Sequence, residues 1–114
     1  MSVVAGNLFA DLPGPRGSED VTALFAAAHL RIERIVSRGH ASPPGFWYDQ
    51  DWSEWVMVVS GAAGLTIEGE SEPRQLKAGD YVLIPPHVRH RVEWTESDAP
   101  TVWLAIHDRS TVAR

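Results

Sequence analysis

The chain is 114 residues long and 44% hydrophobic, with ten basic residues, fifteen acidic ones and no cysteine. This length suits one domain with a single core, and the lack of thiols excludes disulfides and thiolate-held metals. The net charge of -5 and scattered basic residues argue against a nucleic-acid surface. No apolar run approaches the ~20 residues that cross a bilayer, so no membrane partner is expected. Met1–Gly6 lacks the cationic and apolar regions of a leader, and the expected location is the cytoplasm.

Residues 1–29 read as an N-terminal arm, a loop and a short helix. Val3, Val4, Leu8, Phe9 and Leu12 form an apolar patch ahead of the breaker run Pro13-Gly14-Pro15-Arg16-Gly17. Ser18-Glu19-Asp20 is a capping sequence for a helix over Val21–Ala28, with a strand as the alternative. Leu30–Ser37 is β-branched and reads as a strand with Leu30, Ile32 and Val36 facing inward. The same alternation places Arg34 and Arg38 inward, where a guanidinium fork could grip a ligand carboxylate or phosphate; the alternative is a salt bridge or a turn to solvent. A Pro/Gly loop over Gly39–Gly45 leads through Phe46-Trp47-Tyr48 and the acidic turn Asp49-Gln50-Asp51 into an apolar strand, Trp52–Val59.

The hairpin turn Ser60–Gly64, the strand Leu65–Glu68 and the turn Gly69–Pro73 follow. Next come Arg74–Leu76, the turn Lys77–Asp80, and the strands Tyr81–Ile84, Arg89–Trp94 and Thr101–His107. Turn signals about eight to twelve residues apart predict an all-β sandwich or barrel. Residues 30–108 are then the barrel and 109–114 a tail.

The richest stretch is Gly79-Asp80-Tyr81-Val82-Leu83-Ile84-Pro85-Pro86-His87-Val88-Arg89-His90. Proline has no N–H to donate, so the pair after Ile84 must end ladder pairing and force a corner. Together with Glu54 and Gly61, this stretch resembles the two motifs of the small single-domain cupins over roughly residues 30–107. In the second motif Gly79, Pro85 and His90 keep the spacing, while His87 stands at a glycine position and Trp94 at an asparagine. In the first, Glu54 and Gly61 match, but Tyr48 and Gln50, or Trp47 and Asp49, stand where two histidines belong.

The resemblance implies a cupin-type double-stranded β-helix, a jelly-roll-like barrel. It also implies a divalent metal, Zn, Fe, Mn, Ni or Cu, at His90, Glu54 and one oxygen from Gln50 or Asp49, with His87 either adding a nitrogen or facing outward. The alternative is a metal-free barrel in which His90 hydrogen-bonds Glu54.

Glu54 beside Trp52 or Trp55 would be desolvated and suited to proton transfer, with Tyr48 as its companion. Trp47 and Tyr48 are placed at the cavity mouth, and Asp49, Arg34 and His107 complete the candidate pocket. The function expected is binding of a small polar molecule, with the reaction unassigned; the alternative is a non-catalytic ligand-binding or structural barrel. A homodimer is also expected, with Val3–Phe9 adding a strand to a neighbour's sheet.

Overall fold

The computed structural model describes residues 2–110 and contains only β-structure. Eight strands follow in chain order: β1 (Asp20–Ala26), β2 (Leu30–Ser37), β3 (Ser53–Ser60), β4 (Ala62–Ile67), β5 (Arg74–Lys77), β6 (Tyr81–Ile84), β7 (His90–Thr95) and β8 (Thr101–Asp108). They form a five-stranded sheet in the order β1-β2-β8-β3-β6 and a three-stranded sheet in the order β5-β4-β7. All ladders are antiparallel. The candidate tail begins at Arg109, and its residues 111–114 lie outside the described residues.

The two sheets face each other through Val56, Val58, Ala63, Leu65, Leu76, Ile84, Trp103 and Ala105. Each of these inner positions belongs to a strand whose alternate residues point away, so the core is a product of period-2 patterning. At one end apolar packing fills the space between the sheets, and at the other polar side chains surround a cavity.

The helix expected over Val21–Ala28 is not formed; those residues are mostly β1. Asp20 pairs with Val36 and Ala26 with Arg31, with a bulge at Ala23/Phe25. Eight residues make a marginal helix in isolation, and Val21, Thr22 and Phe25 suit a pleated surface. Pairing with β2 therefore outweighs the helix preference of the alanines. Ala27 N–H donates to Leu30 O at 2.8 Å and closes the hairpin.

The inward face expected for β2 is also reversed. Arg31, Glu33 and Ile35 line the cavity, whereas Arg34, Val36 and Arg38 lie on the outer side. Alternation misleads here because β2 is apolar on both faces: Val36 and its neighbour Val102 are 2% and 1% exposed. The N-terminal arm covers that end of the outer face. Arg34 donates to Leu8 O at 3.2 Å and Ala10 O at 2.8 Å, and Arg38 donates to Pro13 O at 2.8 and 3.0 Å. The arm is thus tied to its own chain by two guanidinium groups, and residues 2–19 carry no strand in the single chain.

On the outside of the three-stranded sheet, Trp94 lies directly across Gly64. A Cβ at position 64 would stand 2.2 Å from the indole Nε1, so only glycine lets the ring rest on the strand. Gly64→Ala is expected to expel the ring and cost about 1–3 kcal/mol in urea denaturation, whereas Gly64→Ala combined with Trp94→Ala should recover part of that loss.

Candidate functional site

A cavity of about 380 Å³ lies between the sheets. One wall is set by a single irregular bridge. Tyr48 N–H donates to His90 O at 2.7 Å, and His90 N–H donates to Tyr48 O at 3.1 Å. This places the residues just before β3 against the start of β7, and the Tyr48 and His90 rings stack with centroids 5.3 Å apart. Alternation through Tyr48, Gln50, Trp52 and Glu54 then sends all four side chains into the cavity.

His90 is 5% exposed. Its Nδ1 lies 2.9 Å from Val88 O, an acceptor, so Nδ1 carries a proton and Nε2 is the atom presented to the cavity. Nε2 stands 3.6 Å from Glu54 Oε1, and Gln50 donates its amide to that same oxygen at 3.3 Å. Burial works against the imidazolium, but the Glu54 carboxylate and the Val88 carbonyl outweigh it and raise the His90 pKa. When Nε2 also carries a proton, that N–H faces the Glu54 carboxylate across 3.6 Å, a charge contact longer than a hydrogen bond. Burial also raises the Tyr48 pKa, reinforced by the charges of Glu19 and Glu54, and keeps the phenol neutral.

A second acid–imidazole pair lines the same cavity. Trp52 Nε1–H donates to His107 Nδ1 at 2.9 Å, which fixes His107 as the tautomer protonated on Nε2. That Nε2–H reaches Glu33 Oε1 at 3.0 Å, and Arg31 donates to the other Glu33 oxygen. The Arg109 guanidinium lies 4.0 Å over the Trp52 ring. Both His107 nitrogens are engaged, so this pair holds Trp52 in place, whereas His90 keeps one nitrogen turned to the open space.

Of the residues expected at the site, Tyr48, Gln50, Glu54, His90 and His107 are brought together. Four others are not. Trp47 and Asp49 take the opposite parity to Tyr48 and Gln50 and lie outside the cavity, with Arg89 5.3 Å over the Trp47 ring. His87 turns to solvent, its side chain 68% exposed and bonded to Asp49 at 2.9 Å. Its φ of +62° explains the glycine of the resembling motif, since the proline corner demands a left-handed residue there. Arg34 holds the arm, as described above.

Sequence reasoning missed Glu19, Glu33, Arg31 and Arg109 as lining residues. Glu33 and Arg31 were hidden by the reversed parity of β2. Glu19 comes from irregular chain before β1, where no periodicity could mark it. It accepts a 3.3 Å bond from Ser37, and burial raises its pKa.

The donors for a metal fall short. His90 and Glu54 converge, and Gln50 offers one amide oxygen only if its amide turns over. Among the described residues, no group of three His, Cys, Asp or Glu side chains could hold a metal ion. A catalytic metal centre needs about three protein ligands, so these residues do not fit one, and no step is derived through a metal.

Raised pKa values for His90 and Glu19 mean that the folded protein binds protons more tightly than the unfolded chain. Their stabilising contribution is complete below the unfolded values, about 6.5 for His and about 4.3 for Glu, and is lost as pH rises through the folded values. Urea denaturation should therefore show stability falling as pH is raised above neutrality. His90→Gln should flatten that part of the profile; an unchanged slope would contradict the assignment.

A family model described as "Cupin domain" matches residues 35–107. A crystal structure from Ralstonia eutropha JMP134, provisionally named a mannose-6-phosphate isomerase, is 52% identical and superposes with a TM-score of 0.92 over 95% of this chain and all of that one. An RmlC-like cupin family protein with a double-stranded β-helix fold, from Methanocaldococcus jannaschii, is 20% identical, with a TM-score of 0.66 over 87% of each chain. The 3-hydroxyanthranilate 3,4-dioxygenase of Burkholderia cenocepacia is 40% identical over 53 residues, which span 45% of this chain and only 30% of that enzyme. Among the described residues no helix is long and apolar enough to cross a membrane. With the family model spanning well over half of its length and the double-stranded β-helix fold shared with solved relatives, the chain belongs to the cupin domain family.

Proposed function

We propose that the cavity binds a small polar molecule with an apolar portion, and that the His90–Glu54 pair exchanges a proton with it. The observation carrying this reading is a nearly buried imidazole whose Nε2 faces both a carboxylate at 3.6 Å and open cavity. An imidazole and a carboxylate facing one cavity can each give a proton to, or take one from, a ligand placed within their reach. Tyr48, kept neutral, can donate a hydrogen bond to the same ligand. Val56, Leu65, Ile84 and Trp103 supply the apolar wall, and a volume near 380 Å³ suits a metabolite-sized molecule. The names of two relatives, one an isomerase and one a dioxygenase, support small-molecule chemistry without choosing a reaction.

Binding can be followed through tryptophan fluorescence, since Trp52 and Trp103 both line the cavity. For a ligand found in a metabolite screen, Glu54→Gln and His90→Gln should each weaken binding at least about tenfold while the protein stays folded. Trp47→Ala should leave binding within about twofold, because that ring lies outside. Equal loss in all three variants would sink this reading.

A divalent metal held by His90, Glu54 and Gln50 is the reading that the family resemblance favours, and it makes a different forecast. With only two ionisable donors, protein purified without a tag is expected to carry Zn, Fe, Mn, Ni or Cu well below one equivalent by elemental analysis. Stoichiometric metal that disappears in His90→Ala would establish the metal centre instead.

A further inference from the structure

Three carboxylates line the cavity, and two of them are met by basic side chains. Glu33 takes Arg31 and the His107 N–H, and Glu54 faces His90. Glu19 is the third, and among the described residues no basic side chain forms an ion pair with it. Its one partner is the Ser37 hydroxyl at 3.3 Å, which in turn accepts Trp103 Nε1–H at 3.2 Å. Ser37 and Trp103 are 1% and 4% exposed, so this chain of bonds runs out of the core and fixes the carboxylate from behind. Only Oε2 of Glu19 takes part in it, and Oε1 has no hydrogen-bond partner among the described residues.

A ligand in the cavity can reach this carboxylate. The charges of Glu33 and Glu54 bear on Glu19, and that of Glu19 bears on Tyr48, so the acids and the phenol share one space. His90 aims Nε2 into that space without a hydrogen bond, although the ring is 5% exposed. The Arg109 guanidinium lies far from Glu19. Ser37 pairs with Thr101, the first residue of β8, whereas Arg109 follows Asp108, the last. The eight residues of that strand, at ~3.4 Å each, separate the two ends.

We propose, on the basis that the cavity is a small-molecule site, that the molecule bound there carries a protonated amine that docks on Glu19, with its remaining polar group directed to His90 and Glu54. An ammonium supplies the positive charge that Glu19 lacks and N–H donors for an oxygen that has none. Tyr48 and Trp103 add ring surface on which a cation is also favoured. A carboxylate in the same place would face Glu19, Glu33 and Glu54 together, with Arg109 at the opposite end.

Three probes that share one ring test this: benzylamine, benzyl alcohol and benzoate offer a cation, a neutral donor and an anion. Nuclear magnetic resonance of the isotope-labelled full chain follows them at up to roughly tens of millimolar, where fragments this small bind. The Trp103 indole N–H reports on Glu19 through Ser37, and the Trp52 indole N–H reports on the opposite end through His107. At neutral pH benzylamine should bind about tenfold tighter than either of the others and move the Trp103 signal most. Glu19→Gln keeps an acceptor for Ser37 but loses the charge, and should bring benzylamine to within about twofold of benzyl alcohol.

The wild-type chain gives a second measure. Its Trp103 signal titrates with Glu19, a group whose pKa is raised by burial and which also feels His40, Glu33 and Glu54. Bound benzylamine favours the carboxylate and should lower that midpoint. An amine preference that survives Glu19→Gln, an unmoved midpoint, or probes that enter without preferring the amine would overturn the inference and leave the cavity as a binding site. Should no probe shift either indole or the Tyr48 and His90 amides, small-molecule binding in the cavity is refuted, and this inference with it.

Discussion

The pair of backbone bonds between Tyr48 and His90 holds this site together. Tyr48 belongs to the segment that feeds the five-stranded sheet through β3, and His90 opens β7 in the three-stranded sheet. Their bridge joins the two walls at the point where the polar side chains begin. It brings an imidazole from one sheet toward a carboxylate from the other, although 36 positions separate Glu54 and His90 in the chain. Without it, Gln50 and Glu54 would lose their register against His90, and the cavity would have no reason to collect its charges on one side.

The cavity tolerates this concentration of ionisable groups because nearly every one is answered. Glu33 is met by His107 and Arg31, and Glu54 by His90 and Gln50. Glu19 accepts one bond, from the Ser37 hydroxyl, and burial raises its pKa in spite of it. Burying a carboxylate costs least where it is paired and hydrogen-bonded. The two histidines differ in the same terms. His107 has both nitrogens committed, which makes it a support for Trp52, and His90 has one committed, which leaves it able to act.

Much of this was legible in the sequence, and the exceptions have physical causes. The proline corner and the spacing from Gly79 to His90 identified the buried histidine, because a chain break between strands is written in residue types that permit nothing else. Glu54 followed from the resemblance to the first cupin motif, which offered Tyr48 and Gln50, or Trp47 and Asp49, at its two histidine positions. The inward placement of Arg34 failed because alternation reports polarity, and β2 has its outer face covered by the arm. Val21–Ala28 reads as helix, with a strand as the alternative, because alanine propensity is local, whereas β1 exists only through its long ladder with β2. His87 and Asp49 have residue types suited to a metal, yet side-chain direction at a left-handed corner is not visible until the backbone is known.

The two arginine clamps on the N-terminal arm bear on how this protein can be handled. Val3 and Val4 are almost wholly exposed, so a fusion partner or affinity sequence placed ahead of them meets no packed surface. Trimming the chain past Pro13 is a different matter. It would strip the carbonyl acceptors from two guanidinium groups, one of them buried with its Nε already unpartnered. A shortened gene product would leave Arg34 with the Asp20 carboxylate at 4.0 Å and would open to water the back of the sheet whose front lines the cavity.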